Sequence, residues 1–202
     1  MSVIREPFNE PLPRRVHVIG TSGSGKTTFA RALATQLGVV HVELDDVAWG
    51  PEWQLRPKEA VREDLRRLLA LHEHTGWVVD GNYSHLRDEV IWPAQPTVVW
   101  LDYSFATVMR RVTWRTLRRV VIRKRLWQAG NRESLRRTLF SRDSILLWAA
   151  TTYRKRRREY PTLLAQHPEL PVLRFRRPRE AKRWLDSLAP RNAEVGACVE
   201  RT

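Results

Sequence analysis

The chain has 202 residues and a formal net charge of +14, with 36 Lys and Arg residues against 22 Asp and Glu. It contains no run of 18 apolar residues and no signal-peptide pattern, which argues against membrane insertion and secretion. The single cysteine, Cys198, excludes a disulfide framework and favours a reducing compartment. We therefore expect a cytoplasmic protein that is a monomer or a weak homo-oligomer.

The two ends of the chain differ in composition from its middle. Residues 1–13, with three prolines, are predicted to be a flexible leader, and residues 190–202 a flexible tail. A single folded domain is expected over residues 14–189.

The first predicted elements are a strand, a glycine-rich loop and a helix. Residues 16–19 form a short β-branched run typical of a buried strand. Phe29, Leu33 and Leu37 then recur at helical spacing, and Gly38 marks the end of that helix. Between them lies GTSGSGKTT, residues 20–28, in the context that a phosphate loop requires.

This loop matches the phosphate-binding pattern G-x-x-x-x-G-K-[ST] without a mismatch. Its glycines allow successive backbone N–H groups to face one concavity at the positive end of the helix dipole. Lys26 adds a full charge, and Thr27 offers a hydroxyl to Mg²⁺. We therefore expect ATP and Mg²⁺ to be bound by the whole loop: Gly20, Thr21, Ser22, Gly23, Ser24, Gly25, Lys26, Thr27 and Thr28.

The second predicted strand, residues 39–44, ends at two carboxylates. Asp45 and Asp46 follow it and begin a loop that contains Trp49 and Trp53. We predict that Asp45 orients or deprotonates an acceptor hydroxyl, with Asp46 beside it, the alternative being that one of them caps the loop. Trp49 and Trp53 either stack on a planar acceptor or belong to the core.

Two further predicted strands also end in aspartate. A helix precedes the third strand, WVV, which is followed by Asp80 and Gly81, and the fourth strand, residues 97–101, is followed by Asp102. We predict that Asp80 holds Mg²⁺ with Thr27 and that Gly81 lets phosphate approach the backbone. Asp102 is the second candidate for the metal, but capping of the next helix by Asp102 or Ser104 explains it equally well.

A basic helical insertion, residues 105–160, is predicted before the last strand. Between residues 110 and 158 there are 17 basic and two acidic residues, a net charge of +15, so the rest of the chain sums to −1. One helix is expected to run to about residue 127, with others around residues 133–140 and 144–160. If the arginines do not simply coat solvated faces, those predicted to contact the transferred phosphate are Arg119, Arg123, Arg132 and Arg142.

The last predicted elements are a strand at residues 172–175 and a helix over residues 179–188. Strands separated by helices imply parallel pairing and a doubly wound α/β sheet. Ligands of such sheets bind at the carboxyl ends of the strands, where all four aspartates are expected.

Several motifs together resemble adenylate-kinase-like P-loop proteins labelled DNA topology modulation or FlaR-related proteins. The likeness covers residues 15–185 and rests on GTSGSGKTT, ELDDVAWGPEW, WVVDGNYS, TVVWLDYS, GNRES and SRDSILLWA. It implies a P-loop NTPase fold of nucleoside/nucleotide-kinase type, with five parallel strands and a mobile lid formed by the arginine-rich insertion. It also implies that Arg176 and Pro178 line an adenine pocket.

One motif departs from the related kinases. VVDGNY resembles the DG-F-P-R pattern of nucleoside monophosphate kinases, in which Asp80 and Gly81 match while Asn82 and Tyr83 do not. The arginine of that pattern is missing here, which argues against a standard nucleoside monophosphate acceptor.

The predicted function is ATP-dependent phosphoryl transfer to a nucleotide or another small hydroxylated or phosphorylated acceptor. The residues expected to carry it are Lys26, Asp45 and the four arginines of the insertion. Two alternatives stay open: a DNA-associated protein that binds duplex phosphates through the basic segment, and an ATP-driven switch without a small-molecule acceptor.

Overall fold

The computed structural model describes residues 14–50, 54–126 and 145–188. Its strands form one sheet in the order β2-β3-β1-β4-β5, and every neighbouring pair is parallel. This confirms the prediction of a five-stranded parallel α/β fold. The strands are β1 (Arg15–Gly20), β2 (Val40–Glu43), β3 (Trp77–Asp80), β4 (Thr97–Leu101) and β5 (Val172–Phe175).

Helices connect the strands within the described residues. A π-helical turn, Arg87–Ile91, and a 3-10 turn, Trp92–Ala94, continue the short helix α4. The helices are α1 (Lys26–Leu37), α2 (Leu44–Ala48), α3 (Lys58–Leu71), α4 (Ser84–Leu86), α5 (Phe105–Leu126), α6 (Ile145–Ala165) and α7 (Pro178–Ser187).

The sheet has an apolar layer on each face, because side chains of successive strand residues point to opposite sides. Val78 packs in the layer that α1, α5 and α7 cover, whereas its neighbours Trp77 and Val79 pack in the layer that α3 covers. β1 lies at the centre of the sheet, so the loop that follows it emerges between the two halves. This is the edge at which doubly wound sheets bind their ligands.

The second strand differs from its prediction. It spans Val40–Glu43, and Leu44 already begins α2, so Asp45 and Asp46 lie in the first turn of a helix and not in a loop. Leu44 is fully buried and occupies the space beside Gly81. The backbone therefore turns towards the core at Leu44. The two carboxylates are favourable there because the N-terminus of a helix is electropositive.

The first helix of the basic insertion, α5, begins as predicted, and its last helix, α6, extends further than predicted. The Ser104 hydroxyl accepts a hydrogen bond from the backbone N–H of Thr107 at 3.4 Å, which confirms the predicted cap of α5. Helix α6 continues through Pro161 to Ala165 instead of ending at residue 160, since Tyr160 and Leu164 are both buried and hold its last turns on the core.

Other predictions fall outside the described residues. These are the helix around residues 133–140, the leader over residues 1–13 and the tail over residues 190–202. Within the part of the chain that the structure describes, no helix combines the length and apolarity needed to cross a membrane.

A buried histidine links β1 to the turn after β3. Trp92 donates its indole N–H to Nδ1 of His17 at 3.0 Å, and Nε2 of His17 lies 3.2 Å from the carbonyl oxygen of Gly81. Because an indole N–H can only donate, Nδ1 accepts and Nε2 carries the proton given to Gly81. Burial lowers the pKa of His17 to about 4, so the ring is neutral at physiological pH.

We predict that His17 makes the fold sensitive to acid. The unfolded chain takes up a proton near pH 6.5 that the folded chain resists to about pH 4, so stability from this group is complete above pH 6.5 and is lost as the pH falls towards 4. Between pH 7.5 and 5 the loss is about 2 kcal/mol. His17→Gln retains a donor and an acceptor but cannot titrate, so its urea-unfolding free energy should fall less over this range.

The matched control for this measurement is His74→Gln, because His74 is exposed. The control should lose as much stability between the two pH values as the wild type does. Equal losses in His17→Gln and in the wild type would contradict the prediction.

Candidate functional site

The glycine-rich loop between β1 and α1 is packed against the start of the insertion. Gly23 has φ +82°, a left-handed conformation that favours glycine. A Cβ atom added at Gly23 would lie 2.1 Å from Cγ2 of Val112 in α5, so helix and loop are in direct contact. The loop conformation therefore depends on α5 as well as on its own sequence.

Two polar side chains of the loop, those of Ser24 and Lys26, differ in their burial and in their partners. Ser24 is fully buried, and its Oγ has no hydrogen-bond partner among the described residues. Lys26 is half-buried, and its Nζ donates to the carbonyl oxygen of Thr21 at 3.2 Å. The pKa of Lys26 is lowered to about 8, chiefly by burial and also by the charges of Arg156 and Arg115, while the charge of Asp80 opposes them. A bound phosphate would reverse these effects, because it stabilises the charged ammonium.

The Thr27 hydroxyl lies between two carboxylates. It is 3.0 Å from Oδ1 of Asp80 and 3.3 Å from Oε1 of Glu43. The parallel register of β2 and β3 places Glu43 directly opposite Asp80. Burial, followed by the charges of Asp80 and Asp46, raises the pKa of Glu43. Sequence reasoning found Thr27 and Asp80 but missed Glu43, because its closeness to Asp80 comes from strand pairing.

A second residue of β2 also contacts the aspartate. Nε2 of His41 lies 2.8 Å from Oδ2 of Asp80, and Asp80 is almost completely buried. Both carboxylate oxygens of Asp80 therefore have partners, so its orientation is defined. Only the alternation of side chains along β2 could have pointed to His41, and that signal is weak in a four-residue strand.

The oxygens of Thr27, Asp80 and Glu43 fit Mg²⁺, which prefers oxygen ligands and commonly binds one or two carboxylates together with substrate phosphates. No group of three or more His, Cys, Asp or Glu side chains in residues 14–50, 54–126 and 145–188 is arranged to hold a metal ion.

A second hydrogen-bonded group lies at the start of α2. The Tyr83 hydroxyl donates to Oδ1 of Asp45 at 2.8 Å and accepts from the Trp49 indole N–H at 3.1 Å. Burial and the bond to Asp45 raise the pKa of Tyr83 to about 12, so it stays protonated. The structure thus brings together the predicted acceptor residues Asp45 and Trp49. It joins them through Tyr83, which departs from the kinase pattern.

The other predicted residues of the loop and acceptor side are distributed as follows. Asp46 is exposed in α2, and the side chain of Thr28 is exposed on α1. The space beside Gly81 is taken by Leu44, whose Cβ would be 2.7 Å from an added Cβ, so packing alone demands glycine there. Trp53 lies outside the described residues.

The four arginines predicted from the sequence are not tested by the structure, which describes other arginines at the loop. Arg119 and Arg123 belong to α5, but their side chains are outside the described set, as are the whole of Arg132 and Arg142. Arg111 lies nearer the start of α5 than Arg119 and Arg123 do. It donates a hydrogen bond to the carbonyl oxygen of Ser24 at 2.7 Å.

Arg111 is held in place by an aromatic ring, with its guanidinium 5.2 Å from the ring centre of Tyr103. Together with Arg115 and Arg156, whose charges reach Lys26, it forms a cationic group around the loop. Arg111 and Arg115 share the four-residue spacing of Arg119 and Arg123, so the stripe was visible in the sequence. The sequence did not show which arginine of the stripe contacts the loop.

The second metal candidate, Asp102, has another role. It is buried at the end of β4, where it pairs with Arg174 of β5 and lies 3.8 Å from Nε of Arg157 in α6. The Arg174 guanidinium also stacks 4.2 Å from the ring centre of Trp100. Asp102 thus binds the sheet edge to α6, and its carboxylate is engaged by arginines.

The predicted adenine-side residues follow β5. Arg176 is exposed, and its backbone N–H donates to Oε2 of Glu180 at 3.0 Å. Pro178 is the first residue of α7, where proline is favourable because its missing N–H would have no helical partner. Their role in binding a base stays a prediction.

Comparison with known proteins gives one family match. A family model described as an AAA domain matches residues 16–136, which include β1 to β4 and the phosphate loop. A curated mouse protein, adenylate kinase 9, is 33% identical to a segment covering 31% of this chain. The match spans only 4% of that relative's own length. These two matches support an adenylate-kinase-like P-loop family, while the FlaR-related label stays a prediction.

Solved structures with a similar arrangement include three kinases. A shikimate kinase from Bacteroides thetaiotaomicron is 16% identical, with a TM-score of 0.49 over 86% of this chain and 95% of that one. A sugar kinase from a Janibacter species is 22% identical, with a TM-score of 0.47 over 88% and 96%. A gluconokinase from Sinorhizobium meliloti is 17% identical, with a TM-score of 0.42 over 89% and 95%.

We predict that Gly23→Ala destabilises the protein through two separate effects. The alanine must adopt φ +82° and must also displace Val112, which adds an overpacking cost of about 1–3 kcal/mol. Gly38→Ala is the matched control, because Gly38 has φ +65° but would have nothing within 4 Å of an added Cβ. Urea unfolding should show the larger loss for Gly23→Ala.

The contact with Val112 is tested by a double-mutant cycle. Val112→Ala should destabilise the wild type, since Val112 is buried, but should recover part of the stability of Gly23→Ala. Additive losses from the two substitutions would show that Gly23 and α5 do not interact as described.

Proposed function

This chain belongs to the AAA domain family, and from that premise we propose that it is an Mg²⁺-dependent phosphotransferase with ATP as the phosphoryl donor. The observation that carries the proposal is the meeting of two kinds of group at one point. Lys26 offers positive charge, and the next residue, Thr27, has its hydroxyl oxygen beside the carboxylates of Asp80 and Glu43. A triphosphate with its metal ion requires both.

The loop supplies the binding site for the donor phosphates in this proposal. The Oγ of Ser24 is buried without a hydrogen-bond partner among the described residues, and the Lys26 ammonium contacts the loop at the Thr21 carbonyl oxygen. The Mg²⁺ ion would be held through Thr27 and Asp80, with Glu43 next to them, and when bound it neutralises charge on the terminal phosphates.

Arginines from both described helices of the insertion complete the phosphate side. Arg111 and Arg115 of α5 and Arg156 of α6 are proposed, in addition to the predicted set, as candidates for contacting the transferred group. Positive groups fixed in advance around a phosphoryl group stabilise the charge of the transition state without further reorganisation. Arg119, Arg123, Arg132 and Arg142 stay predictions for the same role.

The acceptor is proposed to bind beside Asp45 and Trp49. An acceptor hydroxyl oxygen forms the new bond to the terminal phosphorus while the bond from phosphorus to the leaving ADP oxygen breaks, and the hydroxyl proton passes to the Asp45 carboxylate. Tyr83 holds Oδ1 of Asp45 by a hydrogen bond, which leaves the other carboxylate oxygen to meet the acceptor. The exposure of Asp45 on α2 is consistent with access for a small molecule.

The experiment that tests this function is a search for a phosphorylated product. The protein is incubated with Mg²⁺ and ATP labelled in its terminal phosphate, together with nucleosides, nucleotides, sugars or small hydroxylated metabolites. A labelled product other than inorganic phosphate supports the proposal. Absence of both a labelled product and ATP binding would refute it.

We predict that Lys26→Ala weakens binding of Mg-ATP by two orders of magnitude or more, because the variant loses the loop's ammonium group. Isothermal titration with a non-hydrolysable ATP analogue measures the affinity, and circular dichroism checks that the fold is intact. Lys58→Ala, at an exposed position on α3, is the matched control and should bind as the wild type does. Normal binding by Lys26→Ala would show that the loop is not the donor site.

We predict that Asp45 and its neighbour Asp46 behave differently. Asp45→Asn should lower phosphoryl transfer to the identified acceptor about 100-fold or more, since general-base catalysis contributes about 10²–10⁴-fold. Its affinity for the ATP analogue should change little. Asp46→Asn, the same change one residue along α2, should leave transfer within about twofold. Equal effects of the two substitutions would contradict a specific role for Asp45.

A further inference from the structure

A chain of three hydrogen bonds joins the insertion to the beginning of the phosphate loop. Arg156 of α6 donates to the Tyr160 hydroxyl at 3.0 Å, and that hydroxyl donates to Oδ1 of Asn82 at 2.9 Å. The Asn82 amide then donates to the carbonyl oxygen of Gly20 at 2.9 Å. Asn82 follows β3, so the chain connects three segments that are far apart in sequence.

The direction of every bond in this chain follows from the groups themselves. A guanidinium can only donate, so the Tyr160 oxygen accepts from Arg156 and its own proton is left for Asn82. The Asn82 amide nitrogen faces the Gly20 carbonyl, which can only accept, and its oxygen therefore faces Tyr160. Burial raises the pKa of Tyr160, so the hydroxyl proton is retained at neutral pH.

The ring of Tyr160 is fixed independently of its hydroxyl. Its side chain is buried, and it meets Trp100 of β4 edge to face, with ring centres 5.7 Å apart and an interplanar angle of 84°. Tyr160 also belongs to the apolar layer on the α3 side of the sheet. The hydroxyl is therefore held at one place by the core, whether or not its polar partners are present.

Arg156 differs from its basic neighbours in α6. Arg154, Lys155, Arg157 and Arg158 are exposed, while Arg156 is half-buried and its charge reaches Lys26. The charges of Lys26 and Arg156 repel each other when no anion lies between them. A phosphate site therefore needs a contact that keeps the arginine near the lysine. A flexible arginine would otherwise turn towards solvent, since its side-chain entropy favours many rotamers.

We propose that Tyr160 is a positioning residue for phosphoryl transfer: its hydroxyl directs Arg156 towards the phosphate loop and, through Asn82, links that direction to the Gly20 end of the loop. The inference rests on the proposed function. It adds Tyr160 to the residues that support phosphoryl transfer, and it gives Asn82 the role of connecting Tyr160 to the loop. Replacement of the kinase pattern's phenylalanine by Asn82 supplies an amide that can bridge two partners. Tyr160 touches no reacting atom in this scheme and acts through Arg156.

The decisive variant is Tyr160→Phe, which removes the hydroxyl and leaves the ring against Trp100. The readouts are the rate of Mg-ATP hydrolysis, in which water replaces the acceptor, and the affinity for a non-hydrolysable ATP analogue. We expect turnover to fall about tenfold with affinity changed by less than about threefold, because an arginine that has lost its direction mainly reduces stabilisation of the transition state.

Two comparisons separate positioning from general damage to the fold. Tyr153→Phe is the matched control, since Tyr153 also lies in α6, is buried and donates to the Tyr103 carbonyl while accepting from Arg157. It should leave turnover unchanged. In an Arg156→Met background, Tyr160→Phe should have no further effect on turnover, as expected for two residues that act as one unit.

Different results would overturn different statements. Unchanged turnover in Tyr160→Phe, or the same fold-loss with and without Arg156, would overturn the inference while the proposed function stands. A loss in Tyr153→Phe equal to that in Tyr160→Phe would also overturn it. A wild-type protein that neither binds nor hydrolyses Mg-ATP would overturn the proposed function and this inference together.

Discussion

The contact on which the site depends is the hydroxyl of Thr27 held between Asp80 and Glu43. It joins the first residues of α1 to the ends of β2 and β3, so it fixes the base of the phosphate loop against the sheet. Two carboxylates paired across adjacent strands repel each other, and the raised pKa of Glu43 expresses part of that cost. A cation that shares their oxygens would remove the repulsion. The proposed Mg²⁺ ion would therefore relieve an electrostatic repulsion that is present in the fold.

The positive charge of the chain is used in two ways. Arg157 and Arg174 are engaged by the buried Asp102, which makes them part of the connection between the sheet and α6. Arg111, Arg115 and Arg156 lie around Lys26 and depress its pKa or contact its loop. Cations brought together without an anion are unfavourable, so their convergence from α1, α5 and α6 supports the proposal that this surface binds phosphate.

Neutral groups organise the turn after β3. His17 and Trp92 hold the Gly81 carbonyl from one side, and Asn82 and Tyr160 connect the next residue to the loop and to α6. Tyr83 then reaches Asp45. Three successive residues after β3 therefore have different partners: Gly81 contacts β1, Asn82 contacts the loop and α6, and Tyr83 contacts α2. The two residues that depart from the nucleoside monophosphate kinase pattern, Asn82 and Tyr83, each have defined partners in this protein.

The sequence by itself determined the alternation of strands and helices, the glycine-rich loop and the position of Asp80 at a strand end, because strand-loop-helix patterns and glycine spacing are local signals. It did not determine that Asp45 lies in the first turn of a helix. The strand β2 ends before Leu44, because Leu44 is buried beside Gly81. Glu43, His41, Arg111 and Tyr160 came only from the tertiary structure. Their partners lie on other strands and helices, and the register of β2 on β3 and the packing of α5 and α6 on the sheet are non-local. Residue types and local spacing reveal which groups a chain possesses, whereas long-range packing decides which of them meet.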